Sequence, residues 1–373
     1  MTGSKTSSSN ERSGGAYGPG SDIVDFILGI TFEIWEQRGI ELIHDYYAAD
    51  VEVFSLEGPV FGAQAMVDGT RATLNAFPDR LLIGDNVVWS GNRESGYYSS
   101  HRITSPMTNH GPSAFGPATG KRVGVTNIAD CVVENGVITR EWLLRDNLAL
   151  VRQLGIDAMD AARRLAAGLD ERSREWLRAE TMRVNRAASR ATAAKRANPG
   201  LAPTAGQSTP GPASAGQQGP APGVNTAPHD AHPAAEFNAE IFARHLLGSL
   251  WETRPAAQPE DRYAPYAVMH RSPVERYSGR EAILDHYADL SRAFGNPRVS
   301  LDHVACQPFG SGGWDIAARW TLAGEHAGTF CGLARTGKPV FVLGVSHWRI
   351  AAQRVAAEWT VFDQLAGLGQ LRD

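Results

Sequence analysis

Residues 20–156 and 235–373 repeat each other at a spacing of 216 to 217 positions, so the chain must be built from two copies of one folding unit. Each copy opens with an amphipathic helix ending in Trp-Glu. Ile23, Ile27, Ile30 and Ile34 lead to Trp35 and Glu36 in the first copy, and Phe237, Ile241, His245 and Leu250 lead to Trp251 and Glu252 in the second. Gly62 and Gly279 each precede a shorter helix that closes on Phe77 or Phe294. Further along, NHGPSAFGPATGKRV (109–123) answers EHAGTFCGLARTGKPV (325–340); with one residue gapped, His110 pairs with His326 and Thr119-Gly120 with Thr336-Gly337. The ends align without a gap, setting Glu141, Trp142, Asp146 and Gln153 over Glu358, Trp359, Asp363 and Gln370.

Between the copies the composition changes abruptly. Residues 198–232 hold seven Pro and six Gly in 35 residues, with Asp230 the only charged side chain, so apolar burial cannot offset the entropy of ordering them. A disordered linker is expected over 198–234, and a disordered tail over 1–20, which lacks the apolar run of a signal peptide. Residues 157–197 spell a long Ala- and Arg-rich helix. Its apolar stripe of Met159, Leu165, Leu169, Trp176, Met182 and Val184 is thin, which favours a solvated extension lying on the first domain over an inter-domain or partner-binding helix. The domains are then 21–156 and 235–373.

Charge and composition narrow the partners. Lys and Arg number 36 against 40 Asp and Glu, a net charge of -4, which lacks the basic excess that a nucleic-acid backbone demands. No stretch approaches the roughly 18 to 20 apolar residues that span a bilayer. Three irregularly spaced cysteines (Cys131, Cys306, Cys331) form neither a disulfide framework nor a thiolate cage and suit the cytoplasm. No metal is expected, since the HDAH of His229 and His232 lies in the linker. Without GxxxxGK[ST], GxGxxG or GxSxG there is no sign of a nucleotide cofactor or a serine nucleophile, so no cofactor is expected.

The segments after the short helices, VVWSG and GYYSSHRIT in the first copy, VSLDHVAC and WDIAARWTLAG in the second, are rich in the residues of strands. Asn135-Gly136 predicts a type I′ hairpin turn, because both residues tolerate positive φ. Helices followed by hairpins predict an α+β class, a curved antiparallel sheet wrapped over N-terminal helices to leave a one-ended cavity. A turn at 135–136 pairs residues whose numbers sum to 271, setting Asp146 opposite Val125, Leu144 opposite Asn127 and Trp142 opposite Ala129. The face of 142, 144 and 146 is then the apolar one, and 141, 143 and 145 take the polar one.

On that reading Asp146 and Asp363 each lie among aromatic and aliphatic neighbours, where desolvation raises a carboxylate toward general acid/base use; the alternative is that each caps a strand end. His110 and His326 precede Gly-rich turns, either at a cavity rim or as turn residues. Arg319 and Trp320, with the looser counterpart His101-Arg102, lie one strand earlier, and an inward Arg stabilises an enolate. His270 stands where the first copy has Phe54. His270, Trp359, Trp320, Trp142, Phe54 and Asn127 are the candidate substrate contacts. With His270, Arg319, His326 and Asp363 together, the second domain is expected to be the more active.

A strand ending in Arg-Trp, then G-x-H-x-G, T-G-[KR], E-W-x-x-x-D-x-L and a closing Q-L, in RWTLAGEHAG and EWTVFDQL among others, resembles the SnoaL-like polyketide (ester) cyclases of the nuclear transport factor two-like superfamily. The first copy departs from the pattern in HRITSPMTNHGP. The resemblance implies two tandem cone-shaped α+β barrels, each with an apolar cavity, and a cofactor-free cyclase acting by aldol-type chemistry on a hydrophobic carbonyl substrate, with Asp146 or Asp363 as acid/base. It implies equally that the same cone can house an isomerase, dehydratase or epoxide hydrolase, or a non-catalytic binding or scaffold protein. Single-domain members pair through their sheets, so a tandem chain can build that pair internally or form a homodimer.

Overall fold

The computed structural model describes residues 22–197, 237–252 and 259–372; the expected tail and linker lie outside them. The first domain runs α1 (Asp22–Thr31), α2 (Ile43–Tyr46), β1 (Tyr47–Ser55), β2 (Gly58–Phe61), α3 (Ala63–Ala76), β3 (Ile83–Asn92), β4 (Gly96–Thr108), β5 (Arg122–Glu134), β6 (Val137–Arg145) and α4 (Asn147–Leu154). Helices α5 (Ala158–Gly168) and α6 (Glu171–Ala197) follow. The second domain repeats the plan as α7 (Ala239–Trp251), β7 (Tyr263–Ser272), β8 (Glu275–Ser278), α8 (Arg280–Ala293), β9 (Phe294–Phe309), β10 (Gly313–His326), β11 (Pro339–Ala351), β12 (Arg354–Phe362) and α9 (Gln364–Gln370).

The two sheets have one topology, β2-β1-β6-β5-β4-β3 and β8-β7-β12-β11-β10-β9. Both are mixed rather than purely antiparallel, because the first long strand runs parallel to the last (β1 with β6, β7 with β12). That pair has no hairpin between its members; the chain returns through a helix and four further strands.

The hairpin at 135–136 forms with both φ positive (53° and 82°). Its register follows the sum of 271 only beside the turn, at Glu134↔Val137 and Val133↔Ile138, before a bulge shifts it by one residue. Leu144 then faces Ile128 rather than Asn127, and Trp142 faces Asp130 rather than Ala129. A second correction concerns the loops. His326 matches Asn109, not His110: Asn109 Oδ1 accepts from Thr119 N (2.9 Å) just as His326 Nδ1 accepts from Thr336 N (3.2 Å), and both residues are buried. No gap is needed.

The sheets lie against each other through their outer faces, and reciprocal contacts mark the seam. The Arg102 guanidinium sits 3.8 Å from the centre of the Trp359 ring, and that of Arg319 sits 3.2 Å from the centre of Trp142. Asn86 Nδ2 donates to Asp315 Oδ2 (3.1 Å), and Gln307 Nε2 to the Trp89 carbonyl (2.8 Å).

The segment 157–197 is two helices, and it bridges the domains rather than lying on the first alone. In α5, Ala162 and Ala166 pack on Gly369 of α9. In α6, Trp176 stacks on Phe54 of the first domain (5.8 Å) and meets Phe341 of the second edge-on (5.8 Å), while Arg183 reaches Thr321 Oγ1 at 3.1 Å. The thin stripe suffices because the helix fills a narrow groove, burying Leu177 and Val184. Among the described residues, no helix is long and apolar enough to cross a membrane.

Candidate functional site

The first domain is hollow. A cavity of about 400 Å³ opens between α1, α3 and the concave face of the sheet, walled by Ile27, Ile30, Ile34, Trp35, Ile43, Val53, Ile103 and Ile138. A second cavity of about 350 Å³, walled by Ala76, Phe77, Met107, Phe115, Val125 and Leu150, adjoins it. Both share Glu57, Thr73, Arg80, Asn127 and Arg145.

Period two decides which strand residues reach the cavity. From β6 they are Glu141, Leu143 and Arg145 and, across the bulge, Ile138; from β5 they are Asn127, Ala129 and Cys131, and from β4 His101 and Ile103. Trp142 and Leu144 point instead into the seam. The sequence reading thus exchanged the two faces of β6: the apolar one is apolar because the other domain covers it, and the polar one lines the cavity.

Glu141 is 4% exposed, and its Oε2 has no hydrogen-bond partner among the described residues. Burial pushes its pKa up to about 7, with a hydrogen bond from Tyr47 and the Arg145 charge pulling the other way. His101, 2% exposed, is held down to about 4 by burial and then by Arg102, so it is a neutral imidazole near pH 7, and its Nε2 is unpartnered. Asn127, 1% exposed, has both amide atoms unpartnered, as is Arg145 Nε. Buried polar atoms are rarely left without partners. Four such side chains converging on one cavity point to a ligand that supplies them.

The predicted site residues lie elsewhere, with one exception. Asn127 lines both cavities. Asp146 and Asp363 cap helices: Asp146 Oδ1 accepts from Ala149 N and Asp363 Oδ1 from Ala366 N, each at 3.0 Å, which is the capping alternative. Their other oxygens meet the opposite domain, Asp146 at 3.9 Å from Arg271 and Asp363 accepting from Asn147 Nδ2 at 2.5 Å. Burial raises both, Asp363 to about 7 with Glu57 adding to the rise. Arg319, Trp142 and Trp359 form the seam, and His270 stacks on Trp359 at 5.0 Å much as Phe54 stacks on Trp142 at 5.7 Å. His326 anchors its loop, and His110 is exposed.

Trp320 points into the second cone and helps fill it. Its ring lies against Gly344, where a Cβ would come within 2.2 Å of it, and its Nε1 donates to Ser346 Oγ (3.0 Å). Trp251 sits at the centre of the cluster, 5.4 Å from Trp320, 5.5 Å from Tyr287 and 5.9 Å from Phe362. Glu358, the counterpart of Glu141, is fully engaged there, accepting from Tyr263 (2.6 Å), Tyr287 (2.5 Å) and Thr360 (2.5 Å).

Sequence reasoning missed Glu141, Arg145, Arg80 and Tyr47, and named His101 only with Arg102 as the looser counterpart of Arg319-Trp320. The signal available was the duplication itself: if two sheets pair face to face, the apolar face of each strand is the seam, and the polar face must line the cone.

The family model for SnoaL-like polyketide cyclases matches residues 27–154 and again 242–371. The chain belongs to the SnoaL-like polyketide cyclase family. It carries that family's domain twice, in the α+β form with two mixed six-stranded sheets. Among solved structures, this SnoaL-like chain is similar to TsrD from Streptomyces laurentii (19% identity, TM-score 0.33), covering 37% of this chain and 98% of that one. A SnoaL-like polyketide cyclase from Agrobacterium tumefaciens shares 22% identity (TM-score 0.31), with 36% of this chain and 98% of that chain covered. IdmH from Streptomyces antibioticus shares 21% (TM-score 0.31), with 36% and 98% covered. No curated protein matches the chain.

Proposed function

We propose that the chain is a cofactor-free cyclase-like enzyme whose chemistry takes place in the first domain, with Glu141 as general acid/base on a hydrophobic carbonyl compound. The observation that carries this reading is Glu141 Oε2, buried and unpartnered in the wall of a cavity of about 400 Å³. A carboxyl group held at about 7 is ionised in half the molecules at neutral pH, poised both to take a proton and to return one.

The step follows from the lining. Glu141 removes the proton α to a carbonyl, and the electron pair of that C–H bond passes to the carbonyl oxygen as an enolate. Arg145 and Asn127 donate hydrogen bonds to that oxygen. The enolate carbon attacks a second carbonyl in the same molecule, forming a C–C bond and an alkoxide, which takes the proton back from Glu141. Atoms and charge balance with no further reactant. The acid/base role implied for Asp146 and Asp363 passes to Glu141 on this reading, because the aspartates' carboxylates are committed to helix N-termini and the seam.

Proton abstraction is testable without the natural substrate. Exchange of the α-protons of 2-tetralone for deuterium in D2O, followed by NMR, reports a base in an apolar cavity. Glu141→Gln is expected to lower the protein-catalysed rate by about two orders of magnitude or more, while Asp146→Asn and Asp363→Asn leave it near the wild-type value. Unchanged exchange in Glu141→Gln would remove Glu141 from the mechanism. Tight retention of 2-tetralone without exchange would make the cone a binding module.

A further inference from the structure

The two cavities of the first domain meet at a polar waist, and the waist restricts the kind of molecule that fits. On either side the walls are apolar, with Ile30, Ile34 and Ile43 in the inner lobe and Phe77, Met107 and Leu150 in the outer. Arg80 and Arg145 stand between the lobes, and no ion pair joins either guanidinium to a carboxylate among the described residues. Arg80 is 4% exposed and spends its Nε on Ser105 (2.9 Å). Burial, with the like charge of Arg145 beside it, brings Arg80 down to about 9. Of the two carboxylates facing them, Glu57 already accepts from Asn147 (3.1 Å), and Glu141 is largely protonated below neutral pH. Two cations and an unpartnered amide, Asn127, thus meet inside an apolar cone, with Glu57 and a Glu141 that is only partly ionised at neutral pH to balance them.

We infer that the ligand is an elongated hydrophobic molecule carrying an anionic oxygen group near its middle, with one apolar end in each lobe and the charge between Arg80 and Arg145. This rests on the reading that the first cone is the working site, and it adds what that reading leaves open: the length of the substrate and the position of its charge. The delocalised enolate of a 1,3-dicarbonyl has that form, with two oxygens that a planar guanidinium can hold together.

Equilibrium binding to the full chain tests it with three probes. Curcumin sets two aryl ends about a central, acidic 1,3-diketone; 1,7-diphenylheptane keeps both ends without the anion; benzoylacetone keeps the diketone with one end. Curcumin is expected to bind at one site per chain and at least about tenfold more tightly than either of the others. Arg145→Gln is expected to weaken curcumin about tenfold and leave 1,7-diphenylheptane unchanged, which separates loss of the charge contact from loss of the fold. Ala72→Trp, on α3 at the exposed mouth of the outer lobe, is expected to weaken curcumin and spare benzoylacetone. Absent curcumin binding, equal affinities for the three probes, or curcumin affinity indifferent to both substitutions would each overturn the inference. Since binding is the readout, waist-dependent curcumin binding by a protein that exchanges no α-protons would defeat the acid/base reading and leave this one standing.

Discussion

Where the first domain has Ile103, Thr70, Cys131 and Arg145, the second has Trp320, Tyr287, Trp348 and Phe362 at matching positions of the same strands and helices. All four of these larger aromatic rings are buried in the core of the second cone. The trade is mutual, since Trp320 fits only because Gly344 replaces Asn127 on the neighbouring strand. Even the shared glutamate changes its job. Three hydroxyls hold Glu358, and Thr70 and Leu143 take the places of two of those donors around Glu141. The same fold thus encloses a cavity in one copy and packs aromatic rings in the other.

The largest expected effect is on stability. Trp251→Ala removes the centre of the aromatic cluster and should cost about 3–5 kcal/mol in denaturant unfolding, whereas Trp35→Ala, at a cavity wall, should cost far less. Equal losses would mean that both cones are packed alike. The next effect reads the glutamates. Glu358→Gln disturbs three buried hydroxyl donors and should cost about 1–3 kcal/mol, while Glu141→Gln should be neutral or stabilising above pH 7, where it removes a desolvated charge.

A pH profile sharpens the comparison at the seam. Asp363 has a folded-state pKa raised to about 7, so the folded protein holds a proton that the unfolded chain releases from about pH 4 upward. The stability tied to this proton is therefore present below about pH 4 and is lost as pH rises toward 7, by about 1.4 kcal/mol per pH unit at most. Asp363→Asn keeps the helix cap, since Asn caps as well as Asp, and should flatten that slope. An unchanged slope would show that Asp363 titrates normally. The smallest effect is the pseudo-symmetric one. Arg102→Ala and Arg319→Ala each remove one guanidinium from one Trp face and should cost similar amounts, about 0.5–2 kcal/mol, as two halves of one seam.

The architecture was legible in the sequence because its cause is repetition: the Trp-Glu helix ends, the Gly62 and Gly279 helix starts and the E-W-x-x-x-D strands mark the same elements twice. The hairpin at Asn135-Gly136 was legible for a local reason, positive φ at both residues. The site was largely illegible, for reasons of register and burial. A bulge beyond Val133 is not encoded by the turn, and a strand covered on both faces cannot be oriented by hydrophobicity alone. Trp142 and Leu144 read as a cavity wall because nothing local says that another domain lies over them. Helix α6 misled in the same way, since Leu177, Val184 and Trp176 need the far domain to explain them.

The most direct test of the central claim is to give the first cone the contents of the second. Ile103→Trp with Asn127→Gly recreates the Trp320–Gly344 pair at the equivalent strand positions. Calorimetric titration of 2-tetralone should show one site per chain in the wild type, no detectable site in the double variant, and an intact site in Trp320→Phe, with the double variant unfolding at or above the wild-type midpoint. Ligand binding that survives in the folded double variant, or that is lost in Trp320→Phe, would place the working cavity elsewhere and contradict the account.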